Sequence, residues 1–473
     1  HLKKNMLIVL NDNEMSISKN VGAISKYLNQ IITNPLYNRV RAEVERQLTK
    51  FPRLRRLATS SLEGMKHLLI PGILFEEMGF RYFGPVDGHD VIGLVKTLKK
   101  ILAINDCSLL HIVTQKGKGC SFAEQDAEKG HGVVPFDVKT GEKIKSPNEQ
   151  KKQGKAYTKA FVDALIRVAR ERQDVVAITA AMPTGTGLID FQKEFPDRFY
   201  DVGIAEQHAV TFAGALAKGG LKPVCAIYST FLQRAHDQII HDVALQRQPL
   251  ILAMDRAGLV GADGATHNGV FDISFLGHIP GTVIAAPVNE AEIEHMLRLA
   301  MAYPDVFAFR YPRGNVTEKM EAIPFRSFRI GEGEIVREGA DAAILALGTM
   351  LETSLDVADR LKKEGIDVRV VHMRFVKPLD SGILLDCANR HMPIFTLEEH
   401  VFTGGMGSKV LEFFERENRS FVPVHRFALP DHFIEHGTRE LLLDQFGLSP
   451  EKIAKTVAER LAAGQPFYPA HQS

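Results

Sequence analysis

The 473-residue sequence predicts an α/β protein whose mostly parallel sheets are flanked by helices and fall into three successive blocks. Three observations carry that expectation. Short apolar runs rich in β-branched residues recur along the chain, among them VVAIT, PVCAIY and PLILAM, without the polar alternation of a half-solvated strand. Helical patterns separate most of these runs, as expected when parallel strands are buried on both faces. A hydrophobic content of 45% is enough to fill the cores of roughly three domains of about 150 residues each.

The first block runs from Met6 to about Gly141. MLIVLND reads as a strand ending in Asn11, Asp12 and Asn13. A polar, helix-favouring stretch follows, and its basic run RAEVERQLTKFPRLRRL reads as solvated helix faces. DVIGLVKTLKKIL then predicts a helix, and SLLHIVT a buried strand leading into Gln115-Lys116-Gly117-Lys118-Gly119. Residues 132–155 are rich in Lys, Gly, Pro and Gln and read as an interdomain linker. In the second block the strands are DVVAITAA, FYDVG, PVCAIYS, PLILAMD, TVIAAP and VFAFRYP, with the helix EQHAVTFAGALAKGG opening at Glu206. The third block starts near Arg326 and carries AAILALGT, DVRVVHMR, PIFTLEE, VPVHRFAL and a closing helix, EKIAKTVAERLAA. The expected domains are therefore 1–151, 152–325 and 326–473.

Lys plus Arg number 58 and Asp plus Glu 57, for a net charge of +1. That balance argues against a general nucleic-acid binder. No apolar run reaches the ~18 residues of a membrane span. The four cysteines, Cys107, Cys120, Cys225 and Cys387, lie far apart with no CxxC spacing, which predicts a reducing, cytoplasmic setting.

Functional residues in parallel α/β sheets gather just beyond the strand C-termini, so the strand ends are the places to search. Asn13 and its neighbours in NDNEM offer oxygen ligands suited to Mg²⁺ shared with a phosphate; an Asx-turn capping the next element is the alternative reading. Lys116, in a Lys-Gly-Lys-Gly loop, combines positive charge with backbone freedom, and His131 lies beyond the same strand. In YSTFLQRAHDQ, Tyr228 and Ser229 close a strand, and Phe231 falls at a first helical turn where a ring can stack on a planar heterocycle or simply fill the core. The loop DRAGLVGADGATHNG holds Arg256, Asp263 and His267, and a glycine-rich loop of this length is more often functional than connective. RYPRG adds Arg310 and Arg313, and arginines at adjacent strand ends suit either a phosphate clamp or surface salt bridges.

In combination and in order, NDNEMSIS, GPVDGHD, the Lys-Gly-Lys-Gly loop, GIAEQHAV, YSTFLQRAHDQ, DRAGLVGADGATHNG, RYPRGN and EEHVFTGGMGS closely resemble the 1-deoxy-D-xylulose-5-phosphate synthase family of transketolase-like thiamine-diphosphate enzymes. The resemblance spans about residues 1–465. It implies a three-domain transketolase-like arrangement with thiamine diphosphate and Mg²⁺ as cofactors. The implied reaction condenses pyruvate with D-glyceraldehyde 3-phosphate, with loss of CO₂, to give a precursor of isoprenoids, thiamine and pyridoxal. By the same resemblance Glu206 matches the acid on the cofactor's aminopyrimidine ring and Phe231 the aromatic stacked on it. Asn13, with the backbone of Met15, matches ligands of Mg²⁺. Lys116 and His131 match residues near the reactive end, His267 and Asp263 the loop facing substrate, and Tyr228, Arg256 and Arg313 the site for the aldehyde's phosphate. A homodimer is implied for the full-length enzyme.

Family members also carry, before the NDN motif, a Gly-Asp-Gly whose aspartate is a metal ligand. No such motif precedes Asn11 here, and the chain opens HLKKNMLIVLND without an initiator methionine. The expectation is an N-terminally truncated enzyme, its first domain incomplete and its activity alone in question. The competing readings are a transketolase, a β-type subunit of a 2-oxo-acid dehydrogenase, and a non-catalytic module that keeps the fold.

Overall fold

A computed structural model describes residues 4–13, 15, 73–125, 133, 135–142, 144 and 154–463. The basic stretch RAEVERQLTKFPRLRRL and most of the expected linker lie outside the described residues. The chain divides into two compact units, His1–Ser146 and Pro147–Ser473.

In the first unit β1 (Met6–Asp12), β2 (Arg81–Asp87) and β3 (Cys107–Val113) form a parallel sheet in the order β1-β3-β2. The register runs from Met6 opposite Cys107 to Asp12 opposite Val113, so both strands end together. The central strand buries Ser108 to His111, as its apolar run predicts. Helix Val91–Leu102 starts where Asp90 accepts the Gly93 N–H at 3.0 Å, an N-cap typical of aspartate. Strand β2 is not among the predicted strands, because RYFGPVD is interrupted by a Gly-Pro pair.

The second unit contains two sheets. One has seven strands: β4 (Val175–Thr179), β5 (Phe199–Asp201), β6 (Lys222–Tyr228), β7 (Leu250–Asp255), β8 (Val283–Ala285), β9 (Val306–Arg310) and β13 (Phe375–Lys377). Their order is β13-β8-β9-β7-β6-β4-β5. All are parallel except β13, which runs antiparallel with Phe375 opposite Ala285. The other sheet is β10 (Glu334–Arg337), β11 (Ala342–Ala346), β12 (Val368–His372), β14 (Ile394–Val401) and β15 (Val424–Leu429), in the order β10-β12-β11-β14-β15. Strand β13 therefore belongs by sequence to the expected third block and by pairing to the sheet of the second. A buried ionic link lies beside it: Arg374 Nε donates to Glu292 Oε1 at 2.6 Å, and His372 Nε2 lies 3.0 Å from Glu292 Oε2.

The seven-stranded sheet has a topological switch point. From β4 the chain goes outward to β5, then returns to place β6 on the other side of β4. Crevices outside the carboxyl ends of strands at such points are where α/β sheets bind ligands.

Candidate active site

Glu206 enters the site from the end of β5. Asp201 Oδ1 accepts the N–H groups of Ala181 (2.8 Å) and Gly203 (3.0 Å), fixing the turn before helix Glu206–Lys218. The helix buries Ala209, Ala213, Gly214 and Ala217. A Cβ on Gly214 would lie 3.3 Å from the Asp242 carbonyl oxygen, so the helix packs closely on the π-helical turn Ile239–Ala244. No side chain caps the helix, and Glu206 occupies its first turn, where a carboxylate complements the exposed N–H groups. Its side chain is only 2% exposed. Arg234 Nη1 donates to Oε1 at 2.9 Å; Oε2 makes no hydrogen bond among the described residues.

Tyr228, Ser229 and Phe231 follow β6. The Tyr228 and Phe231 rings stack with centroids 5.8 Å apart and planes 14° from parallel. His267 meets the Phe231 ring edge-on at 5.3 Å, and the Arg234 guanidinium lies 5.1 Å from its centroid. Phe231 is thus half-buried, in contact with candidate site groups rather than sealed in the core. Burial pushes the Tyr228 hydroxyl up to about 12.

The glycine-rich loop after β7 brings Arg256, Asp263 and His267 to the same strand ends. Arg256 adopts a left-handed φ of +61°. Its guanidinium lies 3.7 Å from the Tyr228 ring centroid, and its Nη1 donates to the Gly185 carbonyl at 3.0 Å and to Asp255 Oδ1 at 3.1 Å. Arg313, just past β9, pairs with Asp263 at 2.5 Å, both side chains partly exposed. The His267 pKa is lowered, first by burial and then by Arg256 and Arg313, against the pull of Asp263.

Arg310 departs from the expectation of an arginine cluster. It ends β9 buried, donating from Nε to Asp272 Oδ2 at 2.9 Å and from Nη2 to the carbonyls of Gly269 and Glu399 at 3.2 Å each. It braces the glycine-rich loop through Nε and Nη2. The third block, from which no catalytic residue was expected, also holds this loop. Glu399 accepts the Leu259 N–H at 2.6 Å while paired with Arg439, and Asn268 donates to the Ile434 carbonyl at 3.1 Å. Gly264, at φ +81°, lies so close to His436 that a Cβ would come within 2.3 Å of the ring. His400 of EEHVFTGGMGS is buried against Ser274 and takes a structural place.

In the first unit, Asn13 and Met15 follow β1. Asn13 Oδ1 accepts the Met15 N–H at 3.0 Å, the Asx-turn alternative, and an amide oxygen keeps a second lone pair for a cation. No cluster of three or more His, Cys, Asp or Glu suited to a metal occurs among the described residues. Lys116 lies half-buried in the turn after β3. That loop is held by His89 of the GPVDGHD motif, to which the sequence assigns no role: its Nε2 accepts the Gln115 N–H at 2.8 Å. His131 lies outside the described residues. Arg234 of YSTFLQRAHDQ likewise has no role assigned from the sequence; its position one helical turn after Phe231 is the signal that links them.

A doubly wound sheet with a buried acid, an aromatic face and arginines at its strand ends, followed by a second α/β sheet, defines a transketolase-like protein. Family models agree along the chain: the transketolase pyrimidine-binding domain matches residues 153–319, the transketolase C-terminal domain residues 331–453, and 1-deoxy-D-xylulose-5-phosphate synthase residues 1–114. Curated relatives named 1-deoxy-D-xylulose-5-phosphate synthase include that of Pelotomaculum thermopropionicum, 47% identical over 98% of this chain and 72% of the relative. That of Aquifex aeolicus is 47% identical over 97% and 72%. The chain belongs to the 1-deoxy-D-xylulose-5-phosphate synthase family. Among solved structures, a split-gene transketolase described as an inactive β4 tetramer superposes with a TM-score of 0.59 at 29% identity, covering 66% of this chain and all of that one. Transketolase from Campylobacter jejuni, at 17% identity and a TM-score of 0.55 over 82% of this chain and 68% of its own, shares the fold.

Proposed function

We propose that the chain catalyses the thiamine-diphosphate-dependent condensation of pyruvate with D-glyceraldehyde 3-phosphate to 1-deoxy-D-xylulose 5-phosphate, releasing CO₂. One observation carries the reading: Glu206, Phe231, Tyr228, His267, Arg256 and Arg313 all lie at or just beyond the strand C-termini of one sheet, several of them joined by the ring stacks and ion pairs above. The residues suit the cofactor. Glu206 keeps Oε2 unengaged for a ring nitrogen, and Phe231 offers an aromatic face for a pyrimidine. Bound thiamine diphosphate would supply a nucleophilic carbon and an electron sink for decarboxylation.

The chain's own groups do the rest. Glu206 would hold the cofactor's ring nitrogen through Oε2 and could pass a proton there, while Arg234 fixes its other oxygen. His267, kept neutral by burial, can accept and return protons on the substrate side. Arg256 and Arg313, with Tyr228, bind the acceptor's phosphate and so orient its carbonyl. Asp263 restrains Arg313. In the first unit we assign Mg²⁺ to the Asn13 oxygen and the Met15 backbone, and cofactor contacts to Lys116 and His131, on the strength of the family resemblance. The same basis supports a homodimer and domain limits near residues 151 and 325. A cytoplasmic setting is supported by the four free cysteines; no helix among the described residues is long and apolar enough to cross a membrane.

The test supplies purified protein with thiamine diphosphate, Mg²⁺, pyruvate and D-glyceraldehyde 3-phosphate and follows CO₂ and product by NMR. Formation of 1-deoxy-D-xylulose 5-phosphate is expected. Use of a ketose donor in place of pyruvate, acetyl transfer to lipoamide, or no turnover refutes the assignment to this chain.

A further inference from the structure

Asp255 is a carboxylate with no exposed surface, at the last position of β7. A buried charge is costly unless it is paired and hydrogen-bonded. Both oxygens are engaged here, by Arg256 Nη1 at 3.1 Å on Oδ1 and by Thr158 Oγ1 at 2.8 Å on Oδ2. Thr158 belongs to helix Tyr157–Glu171, so the carboxylate ties the strand end to a helix packed on the sheet. In the register of the sheet Asp255 lies directly opposite Tyr228. Neighbouring strand ends thus grip one guanidinium, β6 with an aromatic face and β7 with a carboxylate. The Gly185 carbonyl, from the segment after β4, is the third hold. Gly185 must be glycine for this, since a Cβ there would lie 2.0 Å from the Tyr228 hydroxyl. Both of these hydrogen bonds are donated by Nη1, and among the described residues Nε and Nη2 carry none. The Arg256 side chain is 15% exposed.

We propose that Asp255 is a positioning residue: with Thr158 behind it, it fixes the Arg256 guanidinium so that the remaining N–H groups receive the phosphate of the acceptor. The inference rests on the reading of Arg256 given above. Burial pushes the Asp255 pKa up to about 6, with Arg256 and Thr158 pulling it back. The role proposed for the carboxylate is orientation, through the Oδ1 contact with Arg256 Nη1 and the Oδ2 contact with Thr158. An asparagine can reproduce it, accepting from Arg256 and donating to the Thr158 hydroxyl.

The experiment titrates glycerol 3-phosphate, an unreactive phosphate monoester, into the full chain by calorimetry and measures melting temperatures with and without it. Arg256→Met should weaken binding about tenfold or more, and Asp255→Ala about tenfold, the scale of one charge-assisted contact. Asp255→Asn should stay within about twofold of the parent protein. A purely structural Asp255 would lower the ligand-free melting temperature and leave the affinity and the ligand-induced shift unchanged. That result overturns the inference while the Arg256 reading stands. Arg256→Met binding as tightly as the parent overturns both. Should Asp255→Ala not fold, Thr158→Val, which removes only the rear anchor, is expected to weaken binding about threefold; unchanged affinity there refutes the proposal.

Discussion

Two arginines three positions apart in RYPRG should behave in opposite ways. Arg310 is 6% exposed and Asp272 fully buried. Their ion pair spans 2.9 Å, and Arg310 also satisfies two carbonyls. In Arg310→Met the Asp272 carboxylate keeps only the Ser229 hydroxyl and the Ile273 N–H. Removing one partner of a buried pair costs about 3–5 kcal/mol, a large share of a typical stability of about 5–15 kcal/mol. Arg313 is different: its pair with Asp263 is about half exposed, and such pairs contribute roughly 0–1 kcal/mol. Arg313→Met should therefore fold as the parent does and raise KM for D-glyceraldehyde 3-phosphate roughly ten- to hundredfold, the worth of a charged hydrogen bond. Urea unfolding followed by circular dichroism reads the first effect, steady-state kinetics the second. The double variant Arg310→Met/Asp272→Leu should recover part of the loss, because no buried charge is then left unpaired. Arg310→Met within about 1 kcal/mol of the parent, or a double variant no more stable than the single, would show that the pair is not what braces the loop.

Glu206→Gln should leave the circular dichroism spectrum intact and lower pyruvate turnover about 10²–10⁴-fold; turnover within threefold of the parent would remove Glu206 from the proton path. Phe231→Ala should weaken thiamine-diphosphate binding by about tenfold, and an unchanged dissociation constant would return Phe231 to the core. His400 provides a pH test. Its Nδ1 faces the Val401 carbonyl at 2.8 Å and its Nε2 the Ser274 N–H at 3.3 Å, a pattern that requires the neutral ring, and burial pushes its pKa down to about 4. Between about 6.5 and 4 the unfolded chain takes up a proton the folded chain refuses, so this stability is complete above about 6.5 and lost as the pH falls, by up to ~3 kcal/mol. His400→Gln should flatten that fall in urea midpoints measured between pH 7 and 5; an identical slope would assign the acid sensitivity elsewhere.

The strands that could be read from the sequence are those whose apolar runs meet no interruption, such as VVAIT and LILAM, because burial on both faces leaves an unbroken signal. Strands β2, β10 and β13 were missed since RYFGPVD, EIVR and FVK are short or broken, and only pairing with a distant partner makes them strands. The candidate site follows the same division. Which residues lie at strand ends is a local property, and Glu206, Tyr228, Arg256 and Arg313 follow from it. Which acid meets which arginine is a property of strand order. Arg310 is the last residue of its strand, opposite Met254, while Arg313 lies beyond the ladder; RYPRG contains no sign of that difference in depth. Asp255 adjoins Arg256 in sequence, yet its role depends on Tyr228 being its register partner, 27 positions earlier in the sequence but adjacent in the sheet. Strand order thus sorts equivalent charges into buried braces, such as Asp272 with Arg310, and partly exposed pairs, such as Arg313 with Asp263. A substitution that exchanged those depths would convert a binding defect into a folding defect without changing a residue type.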